Sequence, residues 1–589
     1  MKKKFMCLIV SALLCMSTAF ATGCGAKDKD QDKTVTLTVY SQLANSDGEQ
    51  SGFFSTILKD KFNINLIIIR DSAGVYASRM EAKDLGDIIV WSNNGEQYQN
   101  AVSQGLLFDW EDEDLLDNYG KDIKKYFSIG LEANRGITNL IEGLDNKYKN
   151  KIFGIGNKLC QNLGDHEEFF YNWDIRWDLY KQLEDKYPVI NNLDDYADLL
   201  KDMHELEPYG EDGNPTYAYS FWKDWDDKMV MNVKAFATSY WGYDELGVGL
   251  YDTDTGTYHD ALEEGGPYLE ALKFFNKLYR EDLIDPDSMS QTFNEVSTKL
   301  NNGRNHASMF NYTGYMVYNT DARLESGKMM ATLVPKEAKP PVYALNPNGG
   351  TNIWSIGAKT RYPEKCMELL NWLATPEGSM YIFNGIQGVH WDYDDEGGIY
   401  YTEFGEKSIK DKTTLQDGVV WTSPWTGKKY TLNGRFSDGE LQTNNTFWVR
   451  DAVNLDSRKG ERFSENSWAS FSSSLDKYPI AQDWKTFTGR ENRQDYLEKR
   501  VDAEGNPAYI IVPPFDYLES RKDATLSKKW NQVIDNIKSY TWQALYAKSD
   551  NAFNMYVNEM RREANSHGYA DCVAWSISEA HKKFPSTVK

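Results

Sequence analysis

The chain has 589 residues, 41% of them hydrophobic and 26% charged, enough for at least two domains and a large core. Its formal charge of −23 repels nucleic acid and anionic lipid head groups, which excludes a nucleic-acid partner and leaves covalent attachment as the route to a membrane. Aromatic residues make up 14%, with 18 Trp and 37 Tyr, flat faces with polar handles that suit a large core or the stacking of sugar rings.

Lys2, Lys3 and Lys4 precede an apolar run over 5–20, the make-up of an export signal spanning residues 1–23. Ala21-Thr22-Gly23-Cys24 resembles a bacterial lipobox, with small residues ahead of the cysteine. That resemblance implies cleavage before Cys24, lipidation of its thiol, and a mature chain held on the extracytoplasmic face of the cell membrane. Acyl chains contribute about 0.8 kcal/mol per buried CH2, so two of them anchor stably. Residues 24–33 are charged and without periodicity, and read as a flexible tether. No later run of about 18 apolar residues follows, so the mature chain spans nothing. Cys160, Cys366 and Cys572 are too scattered for a disulfide framework or a zinc site.

Residues 34–40 alternate, with Val35, Leu37 and Val39 on one face, and predict a strand. A helix over 51–62, a buried strand over 64–69, a helix over 74–83 and a strand over 87–91 follow. This order predicts an open, mostly parallel sheet, whose ligands bind at the carboxyl ends of its strands. Tyr40, Ser41, Trp91 and Asn93 therefore stand near a cleft. Further on, 167–172 reads as a strand carrying on to Trp173, and 175–183 and 192–206 as helices. After a strand over 217–221, Trp222, Asp224, Trp225 and Trp241 lie in loop-like sequence, where binding residues concentrate. A helix over 268–279, a strand over 307–310 leading to Tyr312, and a strand over 349–354 carrying Asn352 and Trp354 complete the middle of the chain.

Pro363 suits the first position of a helix whose Cys366, Leu369, Leu370 and Leu373 share one face. Thr375 caps a second helix started by Pro376 and stopped at Asn384-Gly385. Trp391 and a run of acids follow. Residues 398–515 are turn-rich, and helices over 525–548, 551–565 and 571–582 end the chain.

The pieces Tyr362 to Leu373, Thr375 to Gly378 and Gly385 to Trp391 occur in an order that resembles extracellular solute-binding protein family 1, the carbohydrate ABC-transporter lipoproteins. Asp87-Ile88 is similar to that family's Pro-Asp-Ile strand, with Gly86 in place of Pro. Residues 151–156, 307–314 and 349–354 resemble its passages between lobes. The resemblance implies an α/β, two-lobed, periplasmic-binding-protein-like type II fold, each lobe a mostly parallel sheet flanked by helices, with three interlobe crossings. Residues 34–150 and 305–348 are then expected to form lobe 1. Residues 151–304 and 349–589 form lobe 2, with 398–515 as an irregular elaboration on it. The implied activity is capture of a carbohydrate, an oligosaccharide by the size of the chain, through lobe closure. A monomer would deliver it to ABC permease subunits. A peptide or other non-sugar ligand and an exported glycoside hydrolase are the alternatives.

No metalloprotease helix, nucleophile elbow or phosphate loop is present, and Gly154-Ile155-Gly156 lacks the third glycine of a dinucleotide loop. The sequence thus predicts no catalytic residue and no required cofactor. The binding reading needs aromatic platforms and hydroxyl-facing polar groups. It selects Tyr40, Ser41, Trp91, Asn93, Trp173, Trp222, Asp224, Trp225, Trp241, Tyr312, Asn352, Trp354 and Trp391. Asp392, Asp394, Glu396 and Glu403 follow the spacing of a calcium loop with Gly397 at its sixth position. They read either as a structural calcium site or as a solvated hairpin with an acidic tip.

Overall fold

A computed structural model describes residues 34–587 apart from 73, 157–165, 224, 346–347, 350, 411–413, 516, 518–519 and 521. The signal, the tether, Cys24 and Asp224 lie outside the described residues.

The strand Val35–Ser41 sits at the centre of the first lobe. It runs parallel to Ile64–Arg70 on one side and to Ile88–Asn93 on the other. Both faces of this sheet are covered. Leu37, Val39, Ile88 and Val90 point into one core, and Tyr40, Ile89 and Trp91 into another. The period-2 alternation that predicts the strands also assigns their side chains to these two layers. The Pro363–Leu373 helix seals the first layer with Cys366, Leu369, Leu370 and Leu373, all buried. The next helix, Pro376–Asn384, is capped as its residues predict. Thr375 Oγ1 accepts the Gly378 N–H at 3.0 Å, and Gly385 leaves the helix at φ 79°.

The strand Thr351–Ile356 joins this sheet antiparallel to Ile88–Asn93, with Thr351 opposite Asn93. The expected lobe boundaries are thereby corrected. Residues 351–468 build the first lobe, because Trp354, Leu370, Trp391, Trp448 and Trp468 share its core. Residues 307–342 belong to the second, because Ala307–Phe310 pairs with Tyr171–Arg176. The second lobe is also not mostly parallel. Its sheet places Tyr171–Arg176 between Ala307–Phe310 and Met330–Thr332, both antiparallel, and among the described residues its parallel pairing amounts to bridges at Tyr217 and Tyr219 and the short pair of Pro341–Tyr343 with Ile510–Val512. Helices Met231–Trp241 and Pro267–Arg280 pack there through Phe236, Phe274 and Phe275. The closing helices Ala524–Leu545, Asp550–Ser566 and Tyr569–Lys583 lie on the same lobe. The Asn276 amide fixes the end of the first of them by donating to the Ala544, Leu545 and Ala547 carbonyls.

Among the described residues, the chain passes between lobes in three places. The first lies between Ile155 and Phe169, the second between Val342 and Trp354, and the third between Trp468 and Tyr478. The expected return at 307–314 is instead internal to the second lobe, and the elaboration over 398–515 divides between the two. Ile155 bridges to Trp354, and His166 to Ala344, so the first two passages run side by side.

Candidate functional site

The pairing of Thr351 with Asn93 sets the floor of a cavity between the lobes. One strand ends there and its neighbour begins. The cavity has a volume of about 1470 Å³. Asn93 is exposed in it. Its side-chain Oδ1 accepts the Gly95 N–H at 2.8 Å, a tight turn that ends the strand before the helix Glu96–Ser103 begins. Ser92 is held in turn, since its N–H and Oγ both donate to Gln42 Oε1, at 2.9 and 3.1 Å. Asn352 stands beside them with φ 49°, a left-handed conformation that short polar residues tolerate better than most. Asn445 Nδ2 donates to its carbonyl at 2.7 Å and ties that turn to the first lobe.

The opposite wall comes from the second lobe and the passages into it. Phe170, 42% exposed, and Tyr171 follow the first passage, Tyr343 precedes the second, and Phe515 lies beyond the Ile510–Val512 strand. The Tyr171 hydroxyl donates to Glu245 at 2.9 Å, and burial and that carboxylate raise its pKa well above the usual phenol range. It stays neutral. Phe170 also continues into an aromatic wall. Its ring is 5.5 Å from Tyr312, which stacks on Phe310 at 5.1 Å. Tyr312 is 6.1 Å from Trp225, and Trp225 is 5.3 Å from Trp222. Trp225 is 46% exposed, whereas Trp222 is buried behind it. Phe293, 4.5 Å from Trp225, holds the indole in place.

Asn93 and Asn352 thus line the cavity, and Tyr312, Trp225 and Trp222 form the wall that adjoins it. The other selected residues are placed elsewhere. Tyr40 and Trp91 fill the second core layer of the first lobe, and the Trp91 indole N–H donates to Ser355 Oγ at 3.1 Å. Ser41 donates to the Thr443 carbonyl at 2.9 Å and is buried. Trp173 sits in the second core with its indole on the Ser239 carbonyl. Trp241 ends its helix against Tyr240, away from the cavity. Trp354 and Trp391 are core residues of the first lobe, Trp391 donating to the Gly385 carbonyl at 2.8 Å. Trp241 is thus helical where loop-like sequence was expected, and the others place their side chains on the covered face.

The acidic loop is a hairpin between Trp391–Tyr393 and Ile399–Tyr401. Asp394 Oδ1 accepts the N–H groups of Glu396 and Gly398 at 2.9 and 2.7 Å. Lys459 Nζ lies 2.8 Å from Asp394 and 3.2 Å from Glu396. Asp392 accepts from the Gln387 amide, and Glu403 opens the exposed start of the helix Glu403–Lys410. These carboxylates do not converge, and a lysine ammonium holds the position between two of them. The donor set does not fit calcium. No group of three metal-binding side chains gathers among the described residues, and no described helix is long and apolar enough to cross a membrane.

Phe170, Tyr171, Tyr343 and Phe515 line the cavity but were not among the residues selected from sequence. The signal for Phe170 was available. Phe169, Phe170 and Tyr171 are consecutive aromatics in the strand predicted over 167–172, and alternation turns Phe170 outward while Phe169 and Tyr171 are buried.

The sequence matches no family model and no curated protein. Its structure is similar to solved ones. Alginate-binding protein AlgQ2 without calcium ion aligns at a TM-score of 0.53 with 14% identity, over 93% of this chain and 98% of that one. The human-milk-oligosaccharide (HMO) binding ABC-transporter associated solute-binding protein of Bifidobacterium longum infantis gives a TM-score of 0.53 and 14% identity, over 94% and 100%. The FusA substrate-binding protein of Streptococcus pneumoniae, in complex with kestose, gives 0.53 and 14%, over 93% and 99%. The likeness is one of fold. The chain has the two-lobed α/β architecture of ABC-transporter solute-binding proteins along nearly its whole described length.

Proposed function

We propose that this chain is the substrate-binding component of an ABC importer, and that it captures an oligosaccharide between its lobes and passes it to permease subunits. The observation that carries this reading is the cavity, floored by Asn93 and Asn352 and walled by Phe170, Tyr171, Tyr343 and Phe515. Amide groups that both donate and accept match sugar hydroxyls, and aromatic faces match the C–H faces of pyranose rings. At about 1470 Å³ it exceeds the roughly 300–1,000 Å³ of ordinary small-molecule sites, which favours several sugar units over one. The three similar structures are described as binding alginate, human milk oligosaccharides and kestose, which supports a carbohydrate ligand.

Binding works by closure. A ligand that touches both walls stabilises the closed form over the open one by its contacts with the second wall. The side-by-side passages permit rotation about themselves, and the permease reads the closed form. The protein acts as a monomer without a cofactor and makes or breaks no covalent bond. Cys24 carries the lipid that keeps it at the extracytoplasmic membrane surface.

Calorimetric titration with plant and host oligosaccharides tests the reading. Micromolar or tighter binding of at least one glycan, released unaltered, is expected. No glycan binding alongside tight peptide binding, or cleavage of a bound glycan, overturns it. Intact-mass measurement of membrane-extracted protein tests the anchor, which requires a diacylated Cys24 as the first residue.

A further inference from the structure

We infer that the cleft selects non-anionic oligosaccharides, uncharged or amine-bearing, and rejects those carrying carboxylates or sulfates; this rests on the oligosaccharide reading above. The charged side chains lining the cavity, among the described residues, are Glu96, Glu142, Glu167 and Lys583. The one cation is already committed. Lys583 Nζ lies 2.8 Å from Asp244, and its ammonium sits over the Phe515 ring at 4.2 Å. Glu96 and Glu142 are exposed, and neither has an ion-pair partner among the described residues.

The backbone acts in the same direction. The helix Glu96–Ser103 starts at the cavity, and a helix start ordinarily attracts anions. Here Glu96 occupies its first turn and supplies the anion itself. The helix Ser128–Leu140 ends at the cavity, with Leu140, Ile141 and Glu142 lining it. Its carbonyl end adds negative potential at the rim. A ligand carboxylate entering this space meets two carboxylates without an ion-pair partner among the described residues, one helix carbonyl end and a helix start that already carries an acid in its first turn. Like charges across an interface suppress the wrong partner, and a cleft focuses their field. Such repulsion is screened by salt.

The test equilibrates the full mature protein with a mixed pool of neutral, amine-bearing and acidic plant and host oligosaccharides, and reads the bound fraction by mass spectrometry. At low salt, acidic members are expected to be depleted at least about tenfold relative to the pool. A retained neutral glycan and its C6-oxidised uronate derivative are then compared by calorimetry. The uronate is expected to bind at least about tenfold more weakly, with the gap narrowing at high salt and in the E96Q/E142Q double variant. Equal or tighter binding of the uronate overturns the inference and leaves the oligosaccharide reading standing. A gap that neither salt nor the double variant changes also overturns it, because the discrimination is then steric. Retention of no glycan of any charge overturns the oligosaccharide reading, and the inference with it.

Discussion

Lys459 stands 2.8 Å from Asp394 and fills, with its ammonium, the space between Asp394 and Glu396 where the spacing of the acids alone invites a divalent cation. The lysine comes from a segment distant in sequence, and the hydrogen bond it makes holds the Asp394 carboxyl below the usual carboxylate range. Gly398 is part of the fit, because a Cβ there would lie 2.7 Å from the Lys459 Nζ. An internal cation thus already offsets part of the charge of the Asp394–Glu396 pair. Calcium or chelator added to metal-stripped protein is therefore expected to leave Tm unchanged in thermal melts. Lys459→Met removes the internal cation, and its Tm is expected to fall slightly. A calcium-dependent rise in the Tm of the unaltered protein contradicts the account.

The exposed rings and the buried ones separate by the kind of damage they cause when truncated. Phe170 and Trp225 are 42% and 46% exposed, so Phe170→Ala and Trp225→Ala are expected to leave Tm within a few degrees of the parent. Loss of a stacking face is expected to weaken glycan binding by about ten- to a hundredfold, the range of a typical hot spot. Trp173 is 1% exposed, and Trp173→Ala is expected to cost about 3–5 kcal/mol of stability through the cavity it leaves. Urea melts and calorimetry on the three variants check this. A Phe170→Ala protein that binds glycan as tightly as the parent removes that ring from the site.

Local structure was legible in the residues, and lobe membership was not. Thr375, Pro376 and Gly385 act within one helix, so the rules of capping suffice to place them. Whether 351–356 belongs to the first lobe depends on its pairing with 88–93, a contact between segments far apart that no local pattern records. The same holds for the tryptophans. Trp91 and Asn93 are two residues apart on one strand, yet Trp91 is covered by Tyr98 and Tyr76, while Asn93 lies past the edge of that cover. Sequence shows a wide aromatic ring near a strand end. It does not show the helix that will lie over it. The exposed wall was partly legible because Trp225 and Tyr312 follow stretches that read as strands, the position from which a loop reaches a cleft.

Gly154 and Gly156 have a reason for being glycine that has nothing to do with nucleotides. Ile155 donates to the Trp354 carbonyl at 3.1 Å and accepts from its N–H at 2.9 Å, so the first passage lies flush against the second. A Cβ on Gly156 would stand 2.1 Å from the Gly349 carbonyl oxygen, and one on Gly154 2.4 Å from that of Trp354. Both obstacles are backbone and cannot rotate away. Gly156→Ala is expected to lose about 1–3 kcal/mol in urea unfolding, as overpacked sites do. It is also expected to weaken ligand binding, because the passages about which the lobes turn are forced apart. An unchanged midpoint and unchanged affinity would show that the passages are not closely packed.

Asp451 lies in the first lobe against the first passage. The Arg462 guanidinium there donates to the carbonyls of both His166 and Asp451, at 2.7 Å each. Glu168 in the first passage accepts from Ser464 and Asn466, just ahead of the third, at 2.6 and 2.9 Å, and lies 3.6 Å from Arg493. Arg450 pairs with Glu465 beside them. Withdrawal from water, and then the Glu168 carboxylate, push the Asp451 carboxyl up to about 7, against the Glu168 N–H and Arg462, which act the other way. Its pKa is about 3.9 in an unfolded chain, so between these values the folded protein holds a proton that the unfolded one has released. Stability from this group is complete below about pH 4, falls as pH rises, and is gone above about pH 7. Asp451→Asn keeps an acceptor for the Glu168 N–H and cannot ionise. Melts across this range are therefore expected to show the variant gaining on the parent, with the difference in Tm growing from pH 5 to pH 8 and then levelling. Parallel curves for the two proteins would mean that Asp451 titrates normally and that its carboxylate is at ease beside Glu168.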